Sequence, residues 1–502
     1  MHKRLGLGSI LVGLAIFVAC QPTNDNSGDG DPPASPDGGS PTLDGGDDDG
    51  GETAELPKPV LCPEASPFSP KNPNSVRVDD TVLKEDATWT ADKVYLIGDD
   101  FKIEGHTLTV EAGTTICLYQ RGKIYVGQGI HPGEIHLNGT ADKPIVITAP
   151  PSSSDPTKPD VYHRGILFDT FQGSTISHVN IWYGGVGGGS SSWAFELTNT
   201  ARGTPDPKQP LLVDHVTVGA VQSRGIRVGT EVGVADGSAI RFTGFVDPDP
   251  SGPALDTVAE INLMASKSFA KAFTFAGAPI PDAAKNIRLQ PPAADGKISA
   301  DADLVDTGLP YVYRNHRSMH IVGEQNDPVG ATLTVHEGVT LKMDGVLVIG
   351  TLSGTAQGNL VVAGTADKPV IFTSTSDTPA AGDWEGFYFV GGQYDPAKSK
   401  IDHAQILYAG VDAANGPQIN QHVGRCGTNY VGAVMITKGP GAEYDGPSIS
   451  NTKIAHSKSD GIVSDATNVG PTGSHLKTSY ARPDITFEDI AGKTVENNGS
   501  CL

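Results

Sequence analysis

Few side chains in this sequence are placed to do chemistry. Histidines 178 and 403 occupy the same place in two related stretches, Ile176-Ser-His-Val179 and Ile401-Asp-His-Ala404. A neutral imidazole there can stack on a neighbouring chain segment or bond a turn carbonyl; the alternative is a metal-binding or proton-moving role. The structural role is the preferred reading. Asp383-Trp384-Glu385 sets an indole between two acids. That grouping suits a glycan contact, the ring stacking on a sugar, if the tryptophan is exposed. A tryptophan that fills a corner of the fold is the preferred reading. The chain has no Gly-x-x-x-x-Gly-Lys, no Gly-x-Ser-x-Gly and no His-Glu-x-x-His, so phosphate cradling, serine acyl transfer and zinc proteolysis have no support. No catalytic residue, cofactor or metal ligand is assigned.

The cysteines carry the next chemistry. There are five: Cys20, Cys62, Cys117, Cys426 and Cys501. His2, Lys3 and Arg4 precede an apolar run from Leu5 to Val18, about 14 residues, too short to span a bilayer comfortably. Phe17-Val-Ala-Cys20 closes it. This resembles the lipobox of bacterial lipoproteins, which implies a signal peptide over 1–19, cleavage after Ala19, lipidation of Cys20 and a partner membrane. Gln21 after the cysteine points to the outer membrane or cell surface. The four remaining cysteines permit two disulfides with three pairings in an exported chain; free buried thiols are the alternative. Cys501 lies at the extreme end and Cys62 at the start of the folded region, so the expected staples are Cys62–Cys117 and Cys426–Cys501.

Residues 20–58 hold little to bury. From Gln21 to Glu55 there are ten Asp or Glu and no Lys or Arg. Such a segment cannot offset its ordering entropy and is expected to be a disordered tether. It accounts for much of the net charge of −22. Acidity of this kind excludes non-specific nucleic-acid binding, which needs clustered cations. The 62 glycines, 37 prolines and 6% aromatics favour an all-β or solenoid chain over a helical one.

The sequence repeats itself. Leu108-Thr-Val-Glu-Ala-Gly-Thr114 matches Leu333-Thr-Val-His-Glu-Gly-Val339, a shift of 333 − 108 = 225. Gly139-Thr-Ala-Asp-Lys-Pro144 recurs as Gly364-Thr-Ala-Asp-Lys-Pro369, and Ile181-Trp-Tyr-Gly-Gly-Val186 as Ile406-Leu-Tyr-Ala-Gly-Val411, at the same shift. Ser223-Arg-Gly-Ile226 then pairs with Ser459-Asp-Gly-Ile462 at 236, an insertion of 11 residues placed between Val411 and Tyr430. A tandem duplication, with halves 59–250 and 251–502, follows. Linear repetition suggests a solenoid.

Short β-branched runs such as Thr115–Leu118, Ile145–Thr148, Thr340–Met343 and Val370–Thr373 recur between turn residues, too closely spaced for helices. The expected fold is all-β, a right-handed parallel β-helix with roughly 20–30 residues per coil. Gly139 and Gly364 suit turns, Pro144 and Pro369 precede strands, and Asp142 and Asp367 can cap turn N–H groups. The Thr-Leu-Thr-Val-Glu-Ala-Gly-Thr and Gly-Thr-Ala-Asp-Lys-Pro-Ile-Val-Ile-Thr stretches resemble the right-handed parallel β-helix repeats of the pectate-lyase-like superfamily. That resemblance implies an architecture that serves lyases, hydrolases, adhesins and inert stalks alike. Lyase chemistry fares poorly on the motifs: Lys400-Ile-Asp-His403 only partly echoes Trp-Ile-Asp-His, and Arg-x-Pro-x-x-Arg is absent. The Asp-Asp pairs that a hydrolase of this fold would need are Asp79-Asp80 and Asp99-Asp100, both in turn-like surroundings. The expected function is a non-enzymatic cell-envelope protein for adhesion, glycan contact or surface architecture; the alternative is a polysaccharide-active enzyme.

Overall fold

The computed structural model describes residues 57–497, apart from 187–192, 199–210, 230–239, 243–256, 267–272, 276–283, 291–295, 315–317, 324–328, 352–355, 412–431, 438–442, 465–474 and positions 69, 120, 121, 172, 264 and 477. The expected signal peptide, Cys20, the tether up to residue 56, and the Cys426–Cys501 staple lie outside the described residues.

Short strands turn at three corners per coil and stack in register on the coil before. All pairing between the named strands is parallel, so neighbouring strands are joined by crossovers rather than hairpins. This is a right-handed parallel β-helix, and the antiparallel sandwich alternative is excluded. In the first half one face carries Thr107–Glu111, Glu134–Asn138 and the start of Thr175–Trp182. The second carries Val94–Ile97, Thr115–Leu118, Ile145–Thr148 and the end of Thr175–Trp182. The third carries Phe101–Ile103, Ile124–Val126, Ile166–Phe168 and Phe195–Leu197. Among the described residues no helix is long and apolar enough to cross a membrane.

Alternation along each strand aims every second side chain inward, and parallel register puts like on like. One column runs Phe101, Ile124, Ile166, Phe195, Ile226, Ala259, Ile287, Tyr311, Leu341, Phe372, Ile406, Ile454, through the 13-stranded sheet that joins both halves. The duplicated pairs Val110 and Val335, Ile145 and Val370, and Ile181 and Ile406 are all buried in one core.

That column reveals a rotation. Its first-half members come from the third face, whereas Leu341 is the duplicate of Ile116, on the second face. The duplication is therefore offset by one face about the solenoid axis, because the intervening chain contributes whole coils plus one extra face. Coil length also departs from the expected 20–30 residues. Tyr95 pairs with Ile116 (116 − 95 = 21), but Ile406 pairs with Ile454 (454 − 406 = 48). The sheets fix strand spacing only, so corners can accept long loops without breaking the stack.

Residues from 57 onward form a strap outside the second face. Cys62 is bonded to Cys117, as expected, at a Cα separation of 5.7 Å. Cys62 N–H donates to the Ala149 carbonyl and Thr148 Oγ1 donates to the Val60 carbonyl. The strap covers the outward Leu96, Cys117 and Tyr119, and Leu61 packs beside Ala149 and Trp182.

Candidate functional site

The histidine corners come first. His178 and His403 have φ of 48° and 49°, and His215 and Asn451, one coil further on in each half, have 49° and 47°. This left-handed conformation is uncommon outside glycine and enriched in Asn, Asp and His. It turns the chain from the first face to the second. The carbonyls of His178 and His403 then press on Gly139 and Gly364, where an added Cβ would lie 2.2 Å from the oxygen. The repeated Gly and His are thus two sides of one corner. The turn after each glycine is capped by Thr140 and Thr365, whose Oγ1 atoms accept from Lys143 N and Lys368 N, a role expected of Asp142 and Asp367.

The Asp383-Trp384-Glu385 grouping does not present an exposed indole. Trp384 is fully buried, and its Nε1 donates to the Leu407 carbonyl at 2.7 Å. Trp384 fills a corner, as preferred, and the alternative glycan contact through its ring is corrected. Tyr162-His163-Arg164 stands before Gly165 where Asp383-Trp384-Glu385 stands before Gly386, a local shift of 386 − 165 = 221, so the duplicate of Trp384 is His163. His163 is also fully buried, with Nε2 at 2.8 Å from the carbonyl of Trp182, the duplicate of Leu407. Both rings fill the corner and satisfy the same strand carbonyl. Asp383 is held within its own turn, accepting from Ser374 Oγ and Ala380 N.

Glu385 differs. Its Oε2 is buried without a hydrogen-bond partner. Burial, reinforced by the nearby Asp344 carboxylate, pushes its carboxyl up to about 7. In the first half the equivalent residue is Arg164, which pairs with Asp100 at 3.1 Å and donates to Tyr125 Oη.

The structure does bring the two Asp-Asp pairs together. Asp79, Asp80, Asp99 and Asp100 line one pocket of about 220 Å³ near the N-terminal end, with Phe68 and Arg77. Arg77 pairs with Asp79 at 2.6 Å, Lys84 with Asp80 at 2.5 Å, and Arg164 with Asp100, while Asp99 Oδ1 accepts from the Asp100 N–H. A second charged row follows on the outer face of the long sheet. Lys123 pairs with Glu196 at 2.6 Å, Glu196 with Arg227, Arg227 with Glu260, and Glu260 with Arg288. Lys123 and Glu196 are almost wholly buried, and burial lowers the Lys123 ammonium even with Glu196 beside it. Sequence reasoning missed this row because its members lie tens of residues apart; only coil register makes them neighbours.

A shallow groove of about 300 Å³ crosses the coils of the second half, lined among others by Thr365, His403, Gln405, Asn451, Lys453 and Asp484. Beside it, Asp402 accepts from Ser450 Oγ and Asn451 Nδ2. Burial alone would raise the Asp402 carboxyl, but these hydrogen bonds hold it below the usual range.

Residues 311–421 match the family model described as a pectate-lyase-like β-helix domain. Comparisons with curated proteins and with solved structures give no match.

Proposed function

From the premise that this chain carries a pectate-lyase-like β-helix, we propose that it is a non-catalytic envelope protein, lipid-anchored at Cys20 and tethered through 20–58. On this reading it displays the solenoid for adhesion, glycan contact or surface architecture. The observation that carries the reading is the pairing of most of the clustered outward acids, Asp99 and Glu385 excepted, with cations of the chain itself. Asp79, Asp80 and Asp100 each have a cationic partner, and Glu196 and Glu260 sit in a continuous row with Lys123, Arg227 and Arg288. A hydrolase needs carboxylates free to hold a proton or attack, and a lyase needs a free base beside a calcium cradle. The polar groove at His403, Gln405 and Lys453 suits contact with sugar hydroxyls. The test runs a glycan array beside a depolymerisation screen on the full chain. Glycan retention without chain cleavage is expected; release of oligosaccharides overturns the reading. The anchor is checked by Cys20→Ser, expected to abolish acyl labelling and release the protein from membranes. Wild-type protein found wholly soluble and unlabelled would remove the anchor.

The second reading, a polysaccharide-active enzyme, is favoured by one arrangement: four aspartates with Arg77 in a single pocket. Under it, Asp99→Asn and Asp100→Asn abolish any cleavage seen in the screen.

A further inference from the structure

We propose that the first-half corner formed by Ser177, His178, Asp214 and His215 is a binding site for a divalent transition-metal cation, separate from any glycan-contacting groove. His178 and His215 occupy the same corner on consecutive coils, and their rings stack 4.6 Å apart and 6° from parallel. Asp214 stands beside them. Its Oδ1 lies 2.5 Å from His215 Nδ1, and its Oδ2 accepts from Ser177 Oγ at 3.3 Å, which itself lies 2.8 Å from His178 Nδ1. Both Nδ1 atoms thus face one carboxylate, His215 directly and His178 through a hydroxyl. One donor atom from each of His178, Asp214 and His215 lies within 4.8 Å of the other two. Ligands of a tetrahedral ion with bonds of about 2.0–2.2 Å lie about 3.3–3.6 Å apart, and an imidazole binds in its own ring plane, so closing the set requires the two rings to turn out of their stack toward Asp214.

The exposure of two of the donors leaves room for that movement. The His215 side chain is 62% exposed and that of Asp214 38%. The backbone beneath them is fixed by the left-handed corners, at φ of 48° and 49°. Defined backbone positions carrying solvent-facing donors suit an ion that keeps water in its remaining coordination positions. Two imidazoles and one carboxylate are borderline donors, which select zinc, nickel or copper over calcium or magnesium.

The duplication supplies an internal control. Ser177, His178, Asp214 and His215 become Asp402, His403, Ser450 and Asn451. The second imidazole is lost and the acid moves one coil down, where Ser450 Oγ and Asn451 Nδ2 donate to Asp402 Oδ1 at 2.8 and 2.9 Å. That corner keeps one imidazole, with His403 Nδ1 3.1 Å from the Asp402 carboxylate, whose Oδ1 the hydroxyl and the amide already fill. The two halves share the architecture, yet only the first gathers two imidazoles on one carboxylate.

The experiment is isothermal titration of the full chain with Zn²⁺. His215→Asn installs the residue that Asn451 already places at an equivalent corner with φ 47°, so the backbone tolerates it. Asp214→Ser likewise copies Ser450. Each is expected to weaken binding at least about tenfold, the scale of losing one ligand or its orienting partner. His403→Asn is expected to leave binding unchanged, and circular dichroism reports that all three variants keep the wild-type fold. Wild-type binding retained by both first-half variants, an equal loss in His403→Asn, or no Zn²⁺ uptake by the wild type overturns the site.

Discussion

His163 and Trp384 share no chemistry beyond a ring N–H, yet each fills the same corner and bonds the same strand carbonyl. Once packed, the corner constrains volume and one donor, and the next residue is free to diverge. In the first half that residue, Arg164, is paired; in the second it is Glu385, half-buried with an unpartnered oxygen. The pH dependence follows from the direction of each shift. Glu385 is raised from 4.5 to about 7, so the folded state holds a proton that the unfolded chain has lost. Its contribution to stability is full below the unfolded value and disappears as pH rises through about 7. Allowing for partial exposure, about 1–2 kcal/mol is at stake. Glu385→Gln is expected to remove that loss, measured as denaturant stability at pH 5 and pH 8; a variant with the wild-type slope would show that Glu385 ionises freely. His163 acts in the opposite sense. Burial lowers it from 6.5 to about 4, so its contribution is present above 6.5 and is lost as pH falls toward 4.

At the scale of the element, the recurring unit is a corner rather than a strand. Gly364 lies under the His403 carbonyl, as Gly139 lies under that of His178. A methyl group there meets backbone, which cannot step aside without moving the next coil. Gly364→Ala is expected to cost about 1–3 kcal/mol, typical of overpacking a fixed core, and is read by denaturant unfolding. A loss below about 0.5 kcal/mol, the range of ordinary surface substitutions, would mean that the corner relaxes. The strands between corners obey a simpler rule. Val335 stacks on Leu304 and Val362 in register, so Val335→Asp places a charge in a dry column. That variant is expected to fail to fold or to lose its cooperative transition by calorimetry.

The whole molecule is a stack whose coils each touch only their neighbours, so its ends must be secured separately. The strap and its Cys62–Cys117 bond do this near the N-terminal coils, closing a loop with a sequence separation of 55. By loop entropy such a bond contributes about 4 kcal/mol. Cys62→Ser with Cys117→Ser is expected to lower the denaturation midpoint accordingly. Reductant should destabilise the wild type but not the double variant; equal sensitivity would place the stabilising bond elsewhere. The one-face rotation between the halves belongs to this scale too. It lays the outer row of Lys123, Glu196, Arg227, Glu260 and Arg288 on the same long sheet that later carries Lys342 and Lys453.

Much of this was legible in the residues. The runs Thr115–Leu118, Ile145–Thr148 and Thr340–Met343 are strands with the bounds read from the sequence, and Val370–Thr373 extends by one residue to Ser374. Periodicity and turn residues are local signals, and a β-helix strand needs little beyond them. The shift of 225 shared by these blocks likewise placed Val110 with Val335 and Ile181 with Ile406 in equivalent core positions, and chain position alone suggested Cys62–Cys117. Tertiary structure decided what register decides. A coil of 21 residues and one of 48 stack equally well, so sequence spacing carries no information on which outward side chains meet. For that reason the ion row and the convergence of Asp79, Asp80, Asp99 and Asp100 were invisible in the sequence. The pairing of His178 with His215 belongs with them: 37 residues separate the two (215 − 178 = 37), and one coil places their rings face to face.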